Sequence, residues 1–387
     1  MKTITKIVFI LFLLFIFILS GSCSNTAVDN LSNEIESSCE VSSESEEIPP
    51  IYTEQGIPLE NKFSASSNAR TVWDMIMFDG YLYVGCGDYD KNAGPCDVMR
   101  YNLTTKKWEN SGTVQDEQIN RFQLVNGDLI IPSMDAKEGV YDWSYGNYYQ
   151  LENNEWKTVR SIPNAQHVFD IIKHNGLIFA GIGVGRGSYP VAVSSDEGIS
   201  FIQVPLYKNG IAVNIDDKDD YRVYDLFYLN KHVYALFEKD VYRYEEGIFI
   251  YEFSWGNKIV NANEFNLSMQ KVFFKDMWFF STGYVFCADE VNNFKYLPLA
   301  EGVNIVDMYV DNDILYALHS KKIDVGYEVA VYKNESGNAE DFIKVTDFDY
   351  EIPAISLAVE NNTFYFGMGI PYVFSAKNGI ILEVTIK

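Results

Sequence analysis

Val72-Trp73-Asp74-Met75-Ile76-Met77-Phe78-Asp79-Gly80-Tyr81-Leu82-Tyr83 is the stretch on which the fold reading turns. It reads as an apolar strand, a tight polar turn and a second apolar strand. The phrase returns along the chain, with its turn at Gly80, Gly127, Gly176, Lys231, Asp276, Asp313 and Asn362. The steps between those positions are 47, 49, 55, 45, 37 and 49 residues. A repeat of that length matches one four-stranded blade and predicts an all-β chain folded as a β-propeller. The seven turns predict seven blades. Six is the alternative, with the short fifth unit taken as an insertion.

The rest of the composition agrees. Aromatic residues make up 15% of the chain, mostly Tyr and Phe. Short alternating runs bounded by turn residues replace any long helical periodicity. In the first unit the strands read as Thr71–Phe78, Tyr81–Gly87, Asp97–Tyr101 and Lys107–Gly112. The last unit reads as ending with Ile380–Ile386 as its own fourth strand. Residues 51–66 remain a second candidate for closing the ring. Cys86 and Cys96 flank one loop and are candidates for a disulfide, while Cys287 reads as a core residue.

Aligning the units on their turns puts Asp74, Arg121, Asp170, Asp225, Gln270, Asp307 and Ser356 at one equivalent place, six residues before each turn. Seven polar side chains within apolar strands have two readings. They tie neighbouring blades together through backbone bonds, or they face a ligand on the axis, with Asp74, Arg121, Asp170, Asp225 and Asp307 as the binding set. Four carboxylates around one axis repel unless paired, solvated or bridged by a cation.

The loops leading into the inner strands hold a second group. Glu117, Asp135, His167 and Asp170 are the candidate catalytic residues, since a carboxylate pair can serve as acid and base on a glycosidic bond and His167 can shuttle a proton. Trp143, Tyr145, Tyr148, Tyr149 and Tyr189 lie near them and are candidates for stacking on sugar rings. Asp88, Asp90 and Asn92 alternate as in a calcium loop. Position twelve of that loop is Met99 rather than Glu, which excludes an EF-hand. Two readings remain, a rigid surface turn and a looser Ca2+ site, and Ca2+ is the one cofactor the sequence suggests.

Ser194-Ser195-Asp196-Glu197-Gly198-Ile199-Ser200-Phe201 fits the pattern Ser-x-Asp-x-Gly-x-Ser/Thr-aromatic at every specified position. The chain thereby resembles the Asp-box propellers of the sialidase-like superfamily (BNR repeats). In that family the box is a structural turn between third and fourth strands, remote from the active face, so Ser194, Asp196, Gly198, Ser200 and Phe201 are expected to be structural. Ser375-Ala376-Lys377-Asn378-Gly379 looks like a decayed copy. The resemblance implies the fold and not the activity. Sialidases grip a carboxylate with three arginines, and after Arg243 this chain has none. No zinc signature, P-loop, Rossmann glycine motif or nucleophile elbow occurs either.

The N-terminal segment is of another kind. Lys2 and Lys6 precede an apolar run of 13 residues, Ile7 to Leu19, as in a secretory signal. Leu19-Ser20-Gly21-Ser22-Cys23 is similar to a bacterial lipobox, which implies cleavage before Cys23, lipid on its thiol and attachment to the membrane. Plain secretion is the alternative. Residues 24–50 are rich in Ser and Glu, hold seven acidic and no basic residues, and read as a disordered tether. The expected layout is thus 1–22 signal, 23–50 tether and 51–387 propeller.

The formal net charge is −24. Setting aside the tether's acids and the two leading lysines leaves the remainder near −19. That argues against nucleic acid and anionic lipid surfaces as partners. The expectation is a lipid-anchored, outward-facing propeller that binds an extracellular ligand, a carbohydrate, without catalysis. The alternatives are a glycan hydrolase or lyase with carboxylates over blades 1–3, and an envelope assembly factor whose partner is a protein.

Overall fold

All seven repeated turns have positive φ at both central residues, from Asp79 (49°) and Gly80 (77°) through Asn361 (50°) and Asn362 (62°). Asn, Asp and Gly tolerate that conformation, and it gives the two-residue hairpin whose twist matches that of the strands. The turn residues therefore set strand register, as in Phe78 opposite Tyr81 and Glu360 opposite Thr363.

The computed structural model describes residues 51–62, 67–137, 139–215, 221–254, 270–281, 285–291, 294–297, 303, 305–338, 340–371 and 373–386. The expected signal peptide and tether, with Cys23 and Cys39, lie outside them, as does the side chain of Cys287. No helix of the described residues is long and apolar enough to cross a membrane.

The described strands form antiparallel four-strand units in chain order. After β1 (Thr53–Gly56), the first unit is β2 (Asp74–Phe78), β3 (Tyr81–Gly85), β4 (Cys96–Asn102) and β5 (Lys107–Val114). The second is β6 (Gln123–Val125), β7 (Asp128–Pro132), β8 (Tyr145–Glu152) and β9 (Glu155–Pro163). The third is β10 (Ala165–His174), β11 (Leu177–Val184), β12 (Val191–Ser194) and β13 (Ile202–Gln203). A short hairpin follows, β14 (Leu206–Lys208) and β15 (Ile211–Ala212). The fourth unit is β16 (Tyr221–Leu229), β17 (His232–Phe237), β18 (Asp240–Glu245) and β19 (Ile248–Ser254). The fifth is β20 (Gln270–Phe274), β21 (Met277–Ser281), β22 (Val285–Ala288) and β23 (Phe294–Leu297). The sixth is β24 (Ile305–Asp311), β25 (Ile314–Lys322), β26 (Tyr327–Asn334) and β27 (Ile343–Tyr350). Last come β28 (Ala354–Glu360), β29 (Thr363–Met368) and β30 (Ile381–Thr385). Together these make an all-β propeller. The 37-residue step is a full four-stranded sheet and not an insertion.

Two features depart from the sequence reading. The last unit has three strands of its own, and β1 supplies the fourth by pairing with β30 through Thr53–Glu383, Glu54–Leu382 and Gly56–Ile381. The long step before the fourth unit is taken up by the β14–β15 hairpin, which pairs in parallel with β19 at Leu206–Phe249 and Tyr207–Ile250. Apolar clusters straddle neighbouring units, one joining Tyr83, Tyr149 and Tyr365 and another Phe179, Phe201 and Phe249. Tyr148 and Tyr149 belong to those clusters, so they are core and not rim residues. Cys86 and Cys96 are buried free thiols, with Cys86 Sγ donating to the Arg70 carbonyl (3.4 Å).

The closing strand is also held by side chains. Tyr350 OH donates to Glu54 (2.9 Å), Tyr101 OH to the Gln55 amide (2.9 Å) and Trp108 Nε1 to the Gln55 carbonyl (2.9 Å). Each such bond is worth about 1 kcal/mol net. A chain beginning at Ile57 is therefore expected to lose about 3–5 kcal/mol against one beginning at Pro50, measured by chemical denaturation. Equal midpoints would show that β1 does not close the ring.

Candidate functional site

The innermost strands meet the axis with edges that are bare apart from β16, which pairs with β11 at Tyr221 and Arg222, and polar side chains, four of them at the aligned positions, answer those edges. Asp74 accepts its own neighbour's N–H from Met75 (2.8 Å) and that of Phe122 in the second unit (2.5 Å). Gln123 accepts from Ile171 in the third (3.0 Å), and Asp170 from Leu226 in the fourth (2.5 Å). Lys271 of the fifth unit donates to the Leu226 carbonyl, and Ser281 to Ile305 of the sixth (3.1 Å). Asp307 accepts from Met308 (2.7 Å) and from Leu357 of the seventh (2.6 Å). Ser356 returns to the first unit by donating to the Val72 carbonyl (2.9 Å). The ties thus run through all the units and back to the start.

Local structure makes these reaches possible. Register shifts sit at Val168/Asp170, Val223/Asp225, Ile305/Asp307 and Ala354/Ser356, and a bulge re-aims the residue that follows it. Opposite Asp74, Asp170 and Ser356 stand Gly85, Gly181 and Gly367, each five residues after its turn. A Cβ at Gly85 would lie 2.7 Å from the Ile119 carbonyl of the next unit, and one at Gly181 2.7 Å from that of Val223. These glycines let neighbouring backbones approach within tie distance. Their shared offset was a readable signal that the polar ring is an inter-unit device.

The ring is charged and dry. Asp74, Arg121, Asp170, Asp225 and Asp307 are all under 8% exposed. Arg121 spans Asp225 (3.1 Å) and Asp170 (3.6 Å), and Lys271 pairs with Asp170. Burial pushes Asp74 up to about 7, against the opposing pull of the Phe122 and Met75 amides and of Arg121. Burial, with the nearby Asp74 charge, holds Asp307 well above the usual carboxylate range. Asp225 is raised by burial, and Lys271 is lowered by it.

One side of this ring opens into a cavity of about 440 Å³ on the axis. Its polar floor includes Asp74, Arg121, Gln123, Gln270 and Lys271, and its walls run toward the two-residue turns through Ile172, Tyr228, Phe273 and Val310. Tyr228, Phe273 and Trp278 form one aromatic wall, with ring centroids 5.2 to 5.4 Å apart. Tyr309 reaches from the sixth unit to the first, where Met77 N–H donates to its hydroxyl (3.0 Å). Sequence reasoning named the floor but missed Gln123, Lys271 and the aromatic wall, because those side chains converge from separate units.

The other candidates lie elsewhere. Glu117 and Asp135 adjoin, with Glu117 N–H donating to the Asp135 carbonyl (2.8 Å). His167 Nδ1 meets the Met134 carbonyl and acts electrostatically on Asp135, whose carboxyl burial raises. Asp170 is fully buried in its tie. Asp116, unnoticed in the sequence, is also fully buried; it accepts the Asp135 amide (2.8 Å), and burial pushes it up to about 8. In the loop after β3, Asp88 is buried and Asp90 exposed, and the Lys137 ammonium donates to both side-chain and backbone oxygens of Asn92. Among the described residues no group of three or more His, Cys, Asp or Glu is gathered for a metal. Trp143 and Tyr145 are exposed, with Arg160 over the Tyr145 ring at 5.8 Å.

The Ser194–Phe201 turn joins β12 to β13. Asp196 accepts from Ser194 Oγ (2.7 Å), Ser200 N–H (2.9 Å) and Ser200 Oγ (2.6 Å), which hold its carboxyl down at about 2. Gly198 has φ +85°, and a Cβ there would lie 2.7 Å from the Tyr148 hydroxyl. Phe201 is buried in the core. Ser375–Gly379 lies between second and third strands, not at the third-to-fourth turn where a decayed copy belongs. The sixth unit has a comparable turn at that place: Asn334 Oδ1 accepts the Gly337 N–H (2.8 Å) and Ser336 Oγ donates to Asp341 (2.7 Å).

No protein-family model matches the chain, and no curated protein matches it. Solved structures do. The chain superposes on the extracellular domain of a hybrid two-component system from B. thetaiotaomicron with a TM-score of 0.50 at 10% identity, over 86% of this chain and 42% of that one. It thus spans less than half the length of that structure. The WD40 domain of Pan2 from Neurospora crassa gives 0.49 at 11% identity, over 87% and 96%. At such identities the likeness is one of fold.

Raised carboxylates make stability fall with pH. Asp74 and Asp116 bind protons more tightly folded than unfolded, so their contribution is complete below about pH 4 and is lost as pH rises through about 7 and 8. The melting temperature is expected to fall between pH 5 and 8.5, and Asp116→Asn to flatten the slope. A melting temperature that is constant or rises over that range would contradict the assigned burial.

Proposed function

We propose that this chain is a lipid-anchored, outward-facing binding protein whose seven blades form one ring around a ligand site, with a carbohydrate as ligand and no chemical turnover. The observation that carries the reading is the axial cavity, which has a polar floor, an aromatic wall and the size of a small-ligand site. Hydrogen-bond donors and acceptors on the floor suit hydroxyl groups, and the Phe273 and Tyr228 faces suit the C–H face of a sugar ring. Three further observations support it: the lipobox-like Leu19–Cys23 stretch, the Asp-box geometry of Ser194–Phe201, and the extracellular placement of the B. thetaiotaomicron domain. In this reading the aligned aspartates shape the site and tie the ring, and Asp74, Arg121 and Gln270 are the aligned residues that reach a ligand.

A second reading places glycan cleavage on the opposite face, where Glu117 and Asp135 adjoin the raised Asp116 carboxyl. A pair of neighbouring carboxyls is what glycosidic cleavage uses. Glu117→Gln abolishing turnover of a bound glycan would favour it.

A glycan array probed with the chain from Pro50 onward, one compact unit, tests the first reading. Binding to a defined sugar class is expected, with Phe273→Ala weakening it about tenfold. Phe273 is 37% exposed, so that change should leave stability nearly intact. No binding by folded protein would turn the assignment toward a protein partner in the envelope.

A further inference from the structure

The axial charges balance only while Asp74 and Asp307 hold their protons. Asp74, Asp170, Asp225 and Asp307 face Arg121 and Lys271, and both cations are engaged by Asp170 and Asp225. Asp74 and Asp307 receive backbone N–H donors, and among the described residues neither has a salt bridge within 4 Å. Of the four carboxylates, Asp74 alone lines the cavity. Once Asp74 is ionised, an anion bound there would add to an excess of negative charge, and a neutral molecule would leave it unchanged. Ca2+ takes six to eight oxygens, and the floor offers one carboxylate and two amides.

We propose that the axial cavity takes a small organic cation, with a protonated primary amine against the Asp74 carboxylate and its apolar body against Phe273, Tyr228 and Val310. An ammonium group donates three hydrogen bonds. Asp74 keeps lone pairs beyond its two amide bonds, and the Gln270 amide lies on the same floor. The aromatic wall adds attraction for positive charge. The cavity has room for a six-membered ring carrying such an amine. The inference rests on the cavity being the ligand site; an amino sugar is the carbohydrate that satisfies both readings.

The groups that face Asp74 are Arg121, Asp307 and Tyr309. Burial pushes the Asp74 carboxyl up to about 7, so its charge grows as pH rises through that range and is lost below it. Amine binding therefore strengthens as pH rises toward 8.

The test is isothermal titration calorimetry on the full chain in detergent, with cyclohexylamine and its neutral counterpart cyclohexanol. At pH 8 the amine is expected to bind about tenfold tighter than the alcohol, with the advantage shrinking about fivefold at pH 5.5. Asp74→Asn should bring the two ligands to similar affinity, and Phe273→Ala should weaken both. If Asp74→Asn does not fold, the pH profile of the unaltered protein carries the same test. Equal affinities at pH 8, a preference insensitive to pH, or amine binding untouched by Phe273→Ala would overturn the inference. A glycan bound through Phe273 without any amine preference would overturn it and leave the ligand site standing. Absence of binding by both probes and by every glycan would overturn both.

Discussion

The sheets of this protein meet a crowded axis with inner strand edges left bare apart from a short β11–β16 pairing, and those edges are the constraint on which the rest depends. A buried N–H without a partner costs about 1–3 kcal/mol. Water cannot serve amides that are sealed between units. The chain satisfies them with side chains from the preceding unit: Asp74 for Phe122, Gln123 for Ile171, Asp170 for Leu226 and Asp307 for Leu357. One set of residues thereby satisfies the edge and joins the sheets.

That solution has an electrostatic consequence. A carboxylate is a strong acceptor for two amides at once, but it brings a charge into a dry place. Arg121 and Lys271 offset part of it, through Asp170 and Asp225. The remainder appears as the raised Asp74 and Asp307 carboxyls. The device that closes the ring also gives the axial cavity its polarity, so architecture and site chemistry cannot be varied separately here.

Much of this was legible in the sequence. The seven polar turns set the period, and aligning on them exposed the polar ring, because strand register fixes which residues share a face. The tie role of that ring was one of two readings, and the glycines five residues after three of the turns would have favoured it. The closing strand was harder to see. Thr53–Gly56 is four residues long without apolar alternation, and its partners on Tyr350, Tyr101 and Trp108 are distant in sequence. The cavity wall was invisible for the same reason, since Tyr228, Phe273 and Tyr309 come from three units.

Amide hydrogen exchange at Phe122, Leu226 and Leu357 tests the central claim most directly. If the aspartate ties hold the ring, these amides exchange only through global unfolding, as slowly as those of the most protected strands. Exchange at the rate of exposed loop amides would mean that the inner edges are open to water and that the ring is held by apolar packing alone.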